Sequence, residues 1–369
     1  LLHRSLGRAI AIEAAANANF GGYDTGGMPS NGEQATENYM VRLDWNINDS
    51  HDLAAIYNYY DGTQDRSSDS DPFEFEFANH FYNKGSESET TTFILSSQWT
   101  DSFSTEFFYT DTRMDDAQIT IGPKDVGDHQ ININRDIVYL GADDSRQANN
   151  LFTDSTYLKL SGQFLAGDHV FSMGYEREEL QVFNIFVQHS RGGEWDYYDD
   201  SGSNPAACDA LGAQGRYDDW ALGQVDPLNP AFIGCDTSGI DKFVLGRPSR
   251  VYYGSAGTTN DPLDAAADYT NVLNALYIQD EIYFPDSDFT LTAGLRFEYF
   301  TSDDTPNYNE ALSTAVGVRN DSGIDGLNVL MPRVGFNWGV NETLTLRGGI
   351  GLFSGGNPNV WLSNAWSRD

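Results

Sequence analysis

No run in this sequence approaches the roughly 18 consecutive apolar residues that a membrane-spanning helix needs, which excludes a helical membrane protein. Basic residues are scarce: 21 Lys and Arg stand against 55 Asp and Glu, a formal charge of −34. Such a chain repels phosphate backbones, so nucleic acid is excluded as a partner. Cysteine is nearly absent, with only Cys208 and Cys235, both in one stretch rich in Gly, Asp and Pro. In an oxidising compartment a pair confined to one loop reads as a local disulfide worth roughly 3 kcal/mol, the alternative being two unpaired thiols. Their spacing is not the C-x-x-C of a zinc or redox site. Leu1 to Ile12 lacks the basic, apolar and cleavage-site succession of a signal peptide, so export has to be inferred from elsewhere.

Catalytic signatures are missing too. The histidines, His3, His51, His80, His129, His169 and His189, show no ligand spacing such as H-x-H or H-E-x-x-H. Gly348-Gly349-Ile350-Gly351 lacks the ending and strand-to-helix context of a phosphate loop and suits close-packed strands better. With 55 carboxylates, no particular pair is singled out for acid–base work. The reading is of a protein that is not an enzyme and requires no cofactor.

What the chain does have favours strands: 20 Tyr, 22 Phe, 7 Trp and 36 Gly. Five pairs of alternating runs stand out, each joined by a short polar turn. The first runs from about Asn38 to Ile47 and returns from Asp52 to Tyr60. Val41, Leu43, Trp45 and Ile47 share one face, and Arg42, Asp44 and Asn46 the other. The others are Thr91–Trp99 with Phe103–Arg113, Leu151–Leu165 with His169–Val187, Val272–Phe284 with Phe289–Phe300, and Met331–Val340 with Thr343–Phe353. Alternation joined by turn residues predicts β-hairpins. One residue breaks the pattern: Asp280 shares a face with Leu276, Ile278 and Ile282.

Between the hairpins lie long polar segments: Asp61 to Ser88, Asp115 to Asn150, Ser190 to Asn271 and Thr301 to Asn328. Compact soluble domains rarely hold several structureless loops longer than about 15 residues. Outer-membrane barrels do, with short periplasmic turns and long extracellular loops. Their strands need roughly 9 to 11 residues, a length several of these runs reach. The expected fold is all-β, an antiparallel up-and-down transmembrane β-barrel seen in part, with about ten strands. Val41, Leu43, Trp45, Leu291, Leu295, Phe297, Val334, Phe336, Leu344 and Leu346 are expected to face lipid. Arg42, Asp44, Arg296, Glu298, Arg333 and Arg347 are expected in the lumen. A mean hydropathy of −0.46 fits such alternation, and fits a soluble secreted glycan-binding protein equally well.

Residues 1–36 read as a loop segment with a short Ala-rich helix over Ser5 to Asn19, 37–353 as the partial barrel with its longest loop at 190–271, and 354–369 as the start of the next loop. That longest loop mixes aromatics with acids in Trp195, Tyr197, Tyr198, Asp199 and Asp200, and again in Tyr217, Asp218, Asp219 and Trp220. Aromatic faces stack on sugar rings and carboxylates accept hydroxyl hydrogen bonds or hold Ca²⁺, which makes these residues the candidate ligand site. The competing reading is a solvated acidic loop packed on its own core.

Ala275-Leu276-Tyr277-Ile278-Gln279-Asp280-Glu281, followed by Leu291 to Tyr299, Pro332 to Trp338 and Leu344 to Phe353, resembles the barrel of TonB-dependent outer-membrane receptors. Leu43 to His51 looks like an early hairpin of the same family. Phe353 to Asn364 is similar to its Oar-like subfamily. The resemblance implies a barrel of about 22 strands, of which this chain holds neither end, and an amino-terminal plug with a TonB box, which is not among these residues. It further implies an outer-membrane location in a Gram-negative bacterium, contact with outer-membrane lipid, and coupling to the TonB complex through the plug. The implied activity is uptake of a small solute, oligosaccharide or peptide, with surface adhesion or a secretion-related role as the alternative.

Overall fold

The computed structural model describes residues 2–29, 32–69, 71–133, 135–199, 238–254, 259–356 and 359–366. In chain order the strands are β1 (Gln34–Asn48), β2 (His51–Arg66), β3 (Glu74–Glu76), β4 (Tyr82–Thr100), β5 (Phe103–Thr120), β6 (Asp128–Ile133), β7 (Asp136–Leu140) and β8 (Asn149–Ala166). They continue with β9 (His169–Phe186), β10 (Glu194–Tyr197), β11 (Arg250–Tyr252), β12 (Ala267–Phe284), β13 (Phe289–Thr301), β14 (Asn328–Asn341) and β15 (Leu344–Gly351).

Among the described residues these strands form two sheets. The larger is ten-stranded, in the order β1-β2-β4-β5-β8-β9-β12-β13-β14-β15, with every neighbouring pair antiparallel. It is the up-and-down sheet of the five expected hairpins, open at β1 and β15. Polar side chains close the turns locally: Asn48 Oδ1 accepts from Ser50 N at 2.9 Å, and Asn341 Oδ1 from Thr343 N at 3.0 Å. All five short turns lie at one rim, and the four long connections leave from the other.

The register separates two surfaces. Trp45, Leu53, Leu95, Phe107, Leu160, Tyr175, Leu276, Phe297 and Leu330 are successive partners across nine strands, forming one apolar row. The row one step along the pleat is Asn46, Asp52, Ser96, Glu106, Ser161, Gly174, Tyr277 and Arg296. On the apolar side Leu276 and Ile278 are each 50% exposed, while on the polar side Ala275 and Glu298 are buried. Side chains converge on the concave face of a curved sheet and splay on the convex one. The polar face is therefore the lumen and the apolar face the outer wall. An exposed apolar surface spanning ten strands is incompatible with the soluble secreted reading, because water would not tolerate it.

Asp280 also finds its reason. Its Oδ2 lies 2.9 Å from His169 Nδ1 on β9, so the acid on the outer wall has a partner near the short-turn rim. The His169 ring stacks on Phe171 at 5.6 Å.

The long connections differ from expectation. They are not structureless: β2, β4, β5 and β12 extend into them, and further strands and short helices form among their described residues. Segments from three connections build the second sheet, in the order β11-β10-β6-β7-β3, with β10 and β6 parallel and β3 and β7 parallel. Its core contains Phe77, Ile131, Leu140, Tyr197 and Phe243, all 2% exposed or less. The helix Leu2–Asn19 packs on it through Ile12 and Ala16, four residues apart on one helical face and both fully buried. Asn19 Nδ2 donates to Phe243 O at 2.9 Å, tying this helix to the short helix Gly239–Val244. Ser238 and Asp241 form a reciprocal capping box on the short helix. These elements make a crown on the long-connection rim. The helix Asn359–Trp366 lies instead on the lumen face, where Trp366 stacks on Tyr269 at 5.5 Å.

Candidate functional site

The crown carries a half-open cavity of about 300 Å³ bounded by Phe20, Asp125, Val126, His129, Trp195, Tyr197 and Leu245. Four of these are aromatic rings brought from three parts of the chain. His129, on β6, is their centre: its ring lies 4.6 Å from Phe20, 5.9 Å from Trp195 and 5.8 Å from Tyr197, the last two nearly parallel to it. Parallel pairing of β6 with β10 sets Trp195 directly beside His129. His129 Nδ1 is 3.1 Å from the Tyr197 hydroxyl. Burial pulls the imidazole pKa down to about 3, so His129 stays neutral at ordinary pH. Trp195 Nε1 donates to Gly192 O at 2.6 Å, which fixes the indole plane.

Gly127 and Gly192 floor the cavity. Their backbones approach so closely that a Cβ on Gly127 would collide with the Gly192 carbonyl, and one on Gly192 would sit 2.6 Å from the Gly127 backbone. Only glycine permits that contact.

The aromatic and acidic residues singled out in the sequence divide. Trp195 and Tyr197 line the cavity, Tyr197 as a core residue only 2% exposed. Asp196 is buried beneath them and held by Arg250 Nε and Nη2, each at 2.7 Å, and by the Tyr198 hydroxyl at 2.9 Å. Tyr198 is exposed and Asp199 half-buried at the surface. Asp200, Cys208, Tyr217, Asp218, Asp219, Trp220 and Cys235 lie outside the described residues. The sequence reading missed Phe20 and His129. Their signal is weak, since an isolated aromatic after an Ala-rich helix and a lone histidine have no shared spacing.

Beside the cavity, Glu194 Oε2 lies 2.7 Å from His189 Nε2, which also contacts Asp144 Oδ2 at 3.0 Å. Burial, and then the neighbouring Asp196, push the Glu194 carboxyl up to about 7.

The lumen wall carries paired charges of both signs. Lys159 Nζ donates to Glu106 at 3.1 Å, and Arg296 bridges Glu176 at 2.8 Å and Glu298 at 2.7 Å. A recess of about 230 Å³ beside Arg296 is lined by Glu176, Tyr277, Gln279 and Arg333. The partly exposed Lys159–Glu106 pair is worth at most about 1 kcal/mol, whereas the Arg296 pairs are largely buried; together they give the passage a polar lining.

Comparison with known proteins places this geometry. The family model described as outer membrane beta barrel domain matches residues 8–367. The outer membrane transporter YddB from Escherichia coli is similar in fold at 11% identity and a TM-score of 0.52, covering 91% of this chain and 34% of that one. The ferric citrate transporter FecA in its unliganded form matches at 12% identity and a TM-score of 0.46, covering 87% and 36%. The copper transporter OprC matches at 9% identity and a TM-score of 0.45, covering 89% and 39%. The chain thus spans between a third and two fifths of the length of these structures. Comparison with curated proteins found no match. With a family match over nearly all its residues, and a wall apolar outside and polar within, the chain belongs to the outer membrane β-barrel domain family and is a protein of the Gram-negative outer membrane.

Proposed function

We propose that this chain is part of an uptake receptor that captures a scarce solute at its extracellular crown and passes it along the barrel lumen to the periplasm. The observation that carries this reading is the aromatic cavity around His129 and Trp195, on the long-connection side of a charged, polar lumen. A cavity of about 300 Å³ is at the small end of ligand pockets. Flat rings with hydroxyl and carboxylate groups at the margin suit a sugar or a small peptide. Likeness to an outer membrane transporter supports the same direction.

In this reading Trp195 stacks on the ligand. Tyr198, Asp199, Asp200, Tyr217, Asp218, Asp219 and Trp220 extend the contact surface, and a Cys208–Cys235 bridge lowers the entropy lost on binding. Ca²⁺ held by the acidic loop belongs to the same proposal. Free energy for transport comes from the TonB complex acting through a plug, and further strands complete the wall. No catalytic step is involved.

The test offers labelled oligosaccharides and peptides to cells with and without the full-length protein, each with and without proton-motive force. Accumulation that needs both the protein and the proton-motive force supports the proposal. Surface binding without energised accumulation refutes transport and favours adhesion.

A further inference from the structure

We propose that the crown contains a second, separate site, a half-buried centre for a divalent first-row transition-metal ion built from His80, Asp69 and Asp143. His80 is fully buried in the short turn Ala78–His80. Its Nδ1 lies 3.2 Å from Gly141 O, with Asp128 Oδ1 behind at 3.8 Å. With an ion bound the imidazole is neutral and has one ring proton, and placing that proton on Nδ1 satisfies the carbonyl. Nε2 is then a lone pair. It points at Asp69 Oδ2, 3.5 Å away, and Asp143 Oδ2, 3.9 Å away. The three donor atoms all lie within 4.8 Å of one another.

Donors about 2.0–2.2 Å from a tetrahedral zinc ion sit about 3.4 Å apart, so the contacts to His80 need to close by only about half an ångström. A hydrogen bond from the other ring nitrogen to a carbonyl is the usual way a protein orients a ligating histidine. Asp128 adds negative charge on that same side.

The second observation is an unsatisfied one. Asp143 Oδ2 and Asp128 Oδ1 are buried and have no hydrogen-bond partner. The other oxygen of each is engaged, Asp143 Oδ1 with Arg146 Nη1 at 3.2 Å and Asp128 Oδ2 with Gln130 Nε2 at 3.1 Å. Asp143, so constrained with one buried oxygen left facing Nε2, incurs a desolvation cost that a cation offsets. Asp69 is 38% exposed on its side chain, leaving a path for the ion and room for water as a fourth ligand.

The donor set selects the metal. An imidazole nitrogen beside carboxylates suits Zn²⁺, Mn²⁺ or Fe²⁺; Ca²⁺ and Mg²⁺ take oxygen alone, and no sulfur is present for Cu(I). Asp144, His189 and Glu194 form a comparable group, but there histidine already contacts both acids at 3.0 Å or less, and the ion pair accounts for it. At the His80 centre an ion would join the segment before β3, the turn before β4 and the loop after β7, stapling the connections that form the crown.

The test uses the full-length protein in detergent, stripped with chelator and titrated with Zn²⁺, with bound metal measured after desalting. Asp69 lies at the surface, so Asp69→Asn keeps the fold. It should bind one Zn²⁺ fewer per chain than wild type, or bind that equivalent roughly tenfold or more weakly. Glu194→Gln should retain it. Co²⁺ should give visible d–d absorption in wild type that is lost in Asp69→Asn, and excess Ca²⁺ should not compete. Equal Zn²⁺ content in wild type and a folded Asp69→Asn, or no Co²⁺ band, overturns the proposal and leaves His80 as a buried imidazolium balanced by its carboxylates.

Discussion

Ile278 offers a direct test of which face meets lipid. It lies six residues before Phe284, the last residue of β12 at the short-turn rim. At about 3.4 Å per residue and a tilt near 40°, that places it about 15 Å above the rim, close to the middle of the apolar band. Its partners are Leu295 on β13 and Met173 on β9, and it is 50% exposed. Arginine at this depth on the lipid face should cost about 2–4 kcal/mol. One residue along, Gln279 faces Gly294 and Ser172 in the lumen recess, and arginine there should cost less than about 1 kcal/mol. The contrast amounts to roughly tenfold or more in the folded-to-unfolded ratio. Urea titration of the full-length protein in lipid vesicles, read by heat-modifiable gel migration, measures it. Equal costs for Ile278→Arg and Gln279→Arg, or a larger cost at Gln279, would mean that the faces are reversed or the register is slipped by one residue.

Three further outcomes concern the crown. Phe243 is fully buried against Tyr197, so Phe243→Ala should destabilise the crown by about 3–5 kcal/mol, seen as faster limited proteolysis with barrel gel migration unchanged. His129 stays neutral in the folded state down to about 3, whereas the unfolded chain takes up its proton near 6.5. The unfolded state therefore binds more protons over that window, so this contribution falls as pH drops below 6.5, by roughly 3 kcal/mol at pH 4.5. A His129→Asn variant should flatten the acid limb of stability against pH relative to wild type, and parallel curves would count against the neutral buried imidazole. Trp195→Ala and Trp220→Ala should each weaken ligand binding at unchanged surface abundance, and unaltered affinity would return the loop to the solvated, self-packed reading.

The wall was legible because its information is local. A period of two, as in Val41-Arg42-Leu43-Asp44-Trp45, assigns each residue to a face, and a turn such as Asn48-Asp49-Ser50 closes within its own side chains, so neither needs knowledge of distant residues. Charge scarcity of one sign, missing apolar helices and alternating short and long connections likewise come from composition and spacing alone. Strand ends were read short, because above the membrane β4 and β12 continue as polar residues without apolar alternation. The crown was out of reach for a different reason. Its strands are three to six residues long and, apart from the local β6–β7 hairpin, pair across the chain, β10 with β6 and β3 with β7, so backbone hydrogen bonds between distant segments assemble the sheet. Ile131 with Ile133 and Val138 with Leu140 were the only local hints. Tertiary structure alone stacks Trp195 on His129, gives Asp280 its histidine on the outer wall, and brings His80, Asp69 and Asp143 into one cluster. Each of these depends on side chains whose spacing in sequence has no period, and only the folded connections bring them within contact distance.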